Sequence, residues 1–142
     1  MKRLLLCLLF AASSAFASDN PREKFPYVTG SVRYYDRYGY FAGRSSVSNS
    51  TTSLYDSQGR FAGRADSSKD SARLYDRSGS FAGRSTASRF YDSNGSFRGR
   101  SSMFGNTTRF YDSKGLFYGR AETSGGATRY YDAQGRYAGS RR

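Results

Sequence analysis

Residues 109–120 read Arg109-Phe110-Tyr111-Asp112-Ser113-Lys114-Gly115-Leu116-Phe117-Tyr118-Gly119-Arg120. Asp followed three residues later by Gly fits a type I turn. In that turn the carboxylate accepts from the backbone two residues on, and the Gly takes the left-handed position that closes a hairpin. Tyr111-Asp112 therefore ends one strand, and Phe117 opens the next. The same unit recurs around Tyr35-Asp36, Tyr55-Asp56, Tyr75-Asp76, Tyr91-Asp92 and Tyr131-Asp132, at intervals of 20, 20, 16, 20 and 20 residues. A repeat of this kind is one supersecondary unit that needs its neighbours to bury its apolar face, so an array of six hairpins is predicted. A phosphate-cradling role for the turn glycines would require a following helix, which no segment supports.

Working outward, the residue before each Tyr (Tyr34, Leu54, Leu74, Phe90, Phe110, Tyr130) is expected opposite Phe41, Phe61, Phe81, Phe97, Phe117 or Tyr137 across its hairpin, making one buried face. The second glycine of each unit (Gly43, Gly63, Gly83, Gly99, Gly119, Gly139) is expected on that same face, where its missing side chain lets a neighbour pack close. Connectors such as Met103-Phe104-Gly105-Asn106 and Ser124-Gly125-Gly126 join the hairpins, and Thr86-Ala87 alone joins the shortened pair. The four-residue deletion in the short interval falls in Ser85-Thr86-Ala87-Ser88 and reads as a loop. The chain becomes an all-β antiparallel meander of about twelve strands, with six Asp-x-x-Gly turns at one end and polar turns at the other. Such an array must hide its edges, so six tandem β-hairpin repeats closed into a compact ring or flower are expected, with an open β-solenoid as the alternative.

The N-terminus sets the address. Met1-Lys2-Arg3, an apolar run from Leu4 to Ala12 and the end Ala15-Phe16-Ala17 have the form of a secretory signal peptide, with cleavage after Ala17. The run is about half of the roughly 20 residues a spanning helix needs. Cys7 lacks the small residues before it that a lipoprotein site requires, since Leu4-Leu5-Leu6 precede it. The expected organisation is a signal peptide over 1–17, an extended lead-in over 18–30 and a single repeat domain over 31–142, exported to the periplasm or secreted, without a transmembrane anchor after cleavage. An outer-membrane barrel is disfavoured, because Arg60, Ser80, Ser96 and Arg136 fall where a lipid-facing band would lie. Cleavage removes the single Cys and leaves 21 basic against 11 acidic residues, a balance of +10. Of those basic residues 18 are Arg, whose planar fork suits phosphate, sulfate and carboxylate groups.

Three bacterial families share features with this unit. Arg129-Tyr130-Tyr131-Asp132-Ala133-Gln134-Gly135-Arg136-Tyr137 resembles the YD repeats of Rhs-type toxins, which build large encapsulating shells. The 20-residue period is similar to that of choline-binding and glucan-binding cell-wall repeats, whose aromatic cages use Trp, a residue this chain lacks. Over residues 33–142 the Tyr-Asp-x-x-Gly-x-φ-x-Gly-Arg unit most resembles the small exported proteins described as five-fold β-flowers. That resemblance implies a fold of hairpin petals, carries no established activity and supplies no site residues; this chain has six units rather than five.

The chemistry available is narrow. The chain has no His, and six of its 11 acidic residues are the turn aspartates, so no enzymatic activity and no cofactor are expected. Neither the Asp-x-Asp-x-Asp loop nor the Gly-Gly-x-Gly-x-Asp repeat of calcium proteins occurs, so no metal is expected. The candidate binding residues are the Arg after the second glycine (Arg44, Arg64, Arg84, Arg100, Arg120) and the Tyr of each pair (Tyr35, Tyr55, Tyr75, Tyr91, Tyr111, Tyr131). Repetition should array them as a ring of five Arg and a ring of six Tyr. Beside forks of Arg, Tyr rings suit an anionic polymer such as a glycan, lipopolysaccharide or extracellular nucleic acid. A purely architectural reading has the Tyr rings pack petal on petal and each Arg pair with the turn Asp of the next unit. The two function classes are thus a binding module for an anionic envelope or extracellular polymer and a structural or self-associating surface scaffold.

Overall fold

The computed structural model describes residues 30–142, so the expected signal peptide and all of the lead-in but its last residue lie outside the described residues. Gly30, read above as the end of that lead-in, already belongs to a strand, where it lies opposite Val47. Twelve strands follow in chain order: β1 (Gly30–Asp36), β2 (Phe41–Ser48), β3 (Thr51–Asp56), β4 (Phe61–Ser68), β5 (Ser71–Asp76), β6 (Phe81–Thr86), β7 (Arg89–Asp92), β8 (Phe97–Phe104), β9 (Thr107–Asp112), β10 (Phe117–Ser124), β11 (Ala127–Asp132) and β12 (Tyr137–Arg141). Each pairs antiparallel with its chain neighbours, and β1 pairs with β12, so the meander closes into a barrel without a free edge. The closed ring is the form taken, and the open solenoid is not. Tyr34 lies opposite Arg141 at the seam, and reciprocal backbone hydrogen bonds of 2.7 and 2.9 Å join Arg33 to Arg142.

The six Asp turns form as their sequence dictates. At the first, Asp36 accepts from the Gly39 amide at 3.0 Å through its carbonyl, while its Oδ1 accepts from the amides of Tyr38 and Tyr40 at 2.9 and 3.0 Å. Gly39 takes φ +83°, and each later turn repeats the pattern. At the opposite end five two-residue turns join the hairpins, each with its first residue at positive φ, from Lys69 at +41° to Gly125 at +58°.

The register corrects one expectation. The residue before each Tyr lies opposite the second glycine, as Leu54 opposite Gly63, whereas the Tyr itself lies opposite the aromatic, as Tyr55 opposite Phe61. The cause is a β-bulge in every hairpin: Ala42, Ala62, Ala82, Arg98, Tyr118 or Ala138 is an extra residue between aromatic and glycine. One extra residue reverses the alternation, so the aromatic points outward and the glycine inward. Phe61 is accordingly 42% exposed, whereas Leu54 is 4% exposed and Gly63 is buried.

The bulge glycines could not be other residues. Gly63 sits at φ +149°, and a Cβ there would drive into the carbonyl oxygen of Tyr75 on the adjacent hairpin; all six positions repeat this. Absence of a side chain is thus what lets neighbouring hairpins close on one another.

The barrel interior holds the residues before Tyr, with Tyr34, Leu54 and Phe90 buried and Leu74, Phe110 and Tyr130 half-buried. Above them lie small side chains, among them Ser45, Ala65, Ser85 and Ala121, then Thr52, Ala72, Thr108 and Thr128. Some hydroxyls pair there, Tyr34 Oη with Ser45 Oγ at 3.1 Å and Thr123 with Thr128 at 3.0 Å, whereas the buried Thr52 Oγ1 has no partner among the described residues. Arg141 joins them, donating from Nε to Thr128 Oγ1 at 3.1 Å.

The four-residue deletion is absorbed differently from the loop it suggested. β6 has six residues and β7 four, where β2 and β3 have eight and six, and the connection is still a two-residue turn, now Ala87-Ser88. Thr86, read above as part of that turn, pairs with Arg89. Each strand has lost one full side-chain period, which keeps every inward residue inward.

Candidate functional site: an arginine–tyrosine belt on the outer face

The bulge puts each Tyr and its aromatic partner side by side on the outer face. Their rings meet edge to face in all six hairpins, with centroids 5.9 Å apart in Tyr91–Phe97 and 6.3 Å apart in Tyr35–Phe41. The preceding hairpin supplies the cation. Arg44 lies opposite Tyr55, and its guanidinium sits 4.2 Å from the ring centroid. Arg64 over Tyr75, Arg84 over Tyr91, Arg100 over Tyr111 and Arg120 over Tyr131 repeat this at 4.6, 5.0, 4.5 and 4.5 Å. The five Arg and six Tyr therefore form one interleaved belt rather than two separate rings.

The pairing of these Arg with the next unit's turn Asp is not what forms. Three of the six turn aspartates instead take their own hairpin's cations: Asp56 with Arg60 at 2.9 Å, Asp132 with Arg136 at 2.8 Å and Asp92 with Arg98 at 4.0 Å. The Asp56 carboxyl is held below its ordinary value, first by the Arg60 amide and then by the Arg60 guanidinium. Asp76 is lowered chiefly by the Ser78 hydroxyl. At Asp132 partial burial pushes upward, but the amide and side chain of Arg136 together outweigh it.

Two sets of belt residues escaped the sequence reading. Ser140 stands where the other units carry the stacking Arg, yet Tyr35 is not left bare, because Arg142 places its guanidinium 5.6 Å from that ring centroid. The second set is Arg33, Arg73, Arg89, Arg109 and Arg129, each two residues before a Tyr and so on the same outer face. Four of them lie directly across a strand pair from a stacking Arg: Arg33 opposite Arg44, Arg73 opposite Arg84, Arg89 opposite Arg100 and Arg109 opposite Arg120. The simple i, i+2 spacing Arg-x-Tyr carried this signal.

Between β9 and β10 the belt opens into a groove of about 560 Å³ lined by Thr107, Arg109, Tyr111, Phe117, Arg120 and Glu122. Belt carboxylates are few. Asp66 accepts from Arg64 Nε at 3.3 Å and Thr51 at 3.0 Å, and Glu122 accepts from Arg120 Nε at 2.7 Å. Among the described residues no group of three or more acidic, His or Cys side chains is gathered to hold a metal ion, and no helix is long and apolar enough to cross a membrane. Chemically the belt offers forked donors, ring faces already covered on one side by guanidinium, and half-exposed Phe rings beside them. Comparison of the sequence with known family models and with curated proteins finds no match.

Proposed function

We propose that the protein is a non-enzymatic exported binding module for an anionic envelope or extracellular polymer, with the outer Arg–Tyr belt as its binding surface. The observation that carries this reading is the placement of Arg directly opposite Arg in four of the six hairpins. Like charges facing each other across a strand pair weaken a sheet, by about 0.2–1 kcal/mol per pair. A polyanion laid across them turns that repulsion into attraction and releases counterions. Chemistry on a substrate is not part of the proposal. The chain has no His, and the six repeat aspartates are engaged by their own turns.

Retention on immobilised heparin, read together with the size-exclusion profile, tests the proposal. Retention that falls steeply from low to moderate salt, with the protein eluting as a small species, is the expected result. A self-associating scaffold is the competing reading, favoured by the 89% exposure of Phe104 at the β8–β9 turn. Salt-insensitive behaviour with high-order assembly of the pure protein would establish that reading instead.

A further inference from the structure

The belt is not uniform around the barrel. Hairpin β3–β4 has Ser53 opposite Arg64, and hairpin β11–β12 has Arg129 opposite Ser140. Between them, β5 to β10 carry three successive Arg–Arg pairs, and the stretch from Arg84 to Arg109 contains no outer-face carboxylate except the turn aspartate Asp92. Among the described residues the side chains of Arg89 and Arg109 have no hydrogen-bond or ion-pair partner, and Arg84 and Arg100 have only their Tyr rings. The shortened β6–β7 connection also puts Arg89 in the last pair before the Ala87-Ser88 turn, opposite Thr86, and leaves only two residue pairs between Arg84 and that turn. The tract therefore reaches the end of the barrel at Arg89.

Resting on the binding reading above, the geometry points to a polysaccharide bearing sulfate or phosphate monoesters, held across β6–β9 by Arg84, Arg89, Arg100 and Arg109. Three features select this chemistry. Arg89 and Arg100 are two forks facing each other, with Cα atoms about 4.5–5.5 Å apart and flanked by Arg84 and Arg109 from the neighbouring pairs; together they present more donors than the two oxygens of a carboxylate can use, whereas a monoester offers three terminal oxygens. The pairs recur every two strands, about 9.5 Å, which suits repeated anionic groups on a polymer rather than one free ion. One face of each belt Tyr is already under a guanidinium, which lowers what nucleobase stacking can add, while the half-exposed rings of Phe81, Phe97 and Phe117 remain beside the pairs for the apolar face of a sugar.

The test measures binding of the full chain to labelled dextran sulfate, phosphorylated dextran, carboxymethyl dextran of equal charge density and oligo(dT) at one salt concentration. Sulfated or phosphorylated dextran should bind at least about tenfold tighter than the carboxymethyl form and oligo(dT), the better of the two naming the natural ester. Arg84→Ser/Arg89→Ser/Arg100→Ser/Arg109→Ser should weaken that binding at least about tenfold more than Arg33→Ser/Arg44→Ser/Arg64→Ser/Arg129→Ser. The two sets each remove four charges and two ring stacks. Replacing the first four by Lys keeps charge and loses the forks, so the preference for ester over carboxylate should collapse even though the protein stays folded. Equal losses in the two Ser variants, or an unchanged preference in the Lys variant, overturn this inference and leave the broader proposal standing. Oligo(dT) binding as tight as the esters overturns the sugar assignment, and no binding to any polyanion overturns both proposals.

Discussion

At the residue scale, two backbone positions carry opposite predictions. Gly63→Ala forces a side chain into the Tyr75 carbonyl at a φ of +149°, and should cost about 2–4 kcal/mol in urea unfolding. Ala87 sits at φ +50° in the turn of the shortened hairpin, so Ala87→Gly should stabilise by about 1 kcal/mol, and no gain would contradict the turn geometry. A double-mutant cycle on Arg64 and Tyr75 should return a coupling of about 0.5–1 kcal/mol, as expected for an exposed cation over a ring. The turn Asp and Gly were legible because their chemistry is local: a carboxylate two and four residues from the amides that donate to it, and a glycine at the left-handed position. The bulged residue was not, since Ala62, Arg98 and Tyr118 share no property, and only the glycine that follows marks the place. Arg142 was invisible for another reason, because its ring lies more than a hundred residues away in sequence and meets it only through closure.

At the scale of the hairpin, the turn aspartates set the response to acid. Asp56, Asp76 and Asp132 have folded pKa values below the ordinary carboxylate value of about 3.9. Their contribution to stability is therefore fully present above that value and disappears as pH falls through the lowered folded values. With no His in the chain, the melting temperature should stay nearly flat from pH 8 to pH 5 and drop only below about pH 4. A drop already complete at pH 5 would contradict this assignment. Strand number and the placement of turns at two ends were readable from the repeat, but the face assignment of the second strand was not. Alternation inferred from Phe61 and Gly63 puts both on one face, and the bulge at Ala62 separates them. The same shift moved the aromatics from an expected core to the belt, where they stand against the candidate Tyr.

At the scale of the whole molecule, closure rests on a short seam. β12 meets β1 through Tyr34–Arg141, Tyr35–Ser140 and Asp36–Gly139, and Arg142 adds two backbone hydrogen bonds to Arg33. Ending the chain at Ser140 removes the outermost pairing, the Arg141 bond to Thr128 and the stack on Tyr35. Amide exchange in β1 should then accelerate more than in β7, while an open array would show no such contrast. Polar edge hiding made closure predictable, whereas the small, hydroxyl-rich interior did not follow from the expected apolar face. It follows from the glycines, which draw the hairpins together so that the buried positions above the ring of larger side chains are taken by Ser, Ala and Thr. Polyanion binding by the outward Arg–Tyr belt, proposed above, has a direct readout at the side chains that would carry it. It is tested most directly by following Arg side-chain Nε–H resonances during titration with a sulfated hexasaccharide. Saturable shifts are expected at Arg84, Arg89, Arg100 and Arg109, with little change at the turn residues Arg60 and Arg136; shifts confined to the turns, or spread evenly over every Arg, would rule belt binding out.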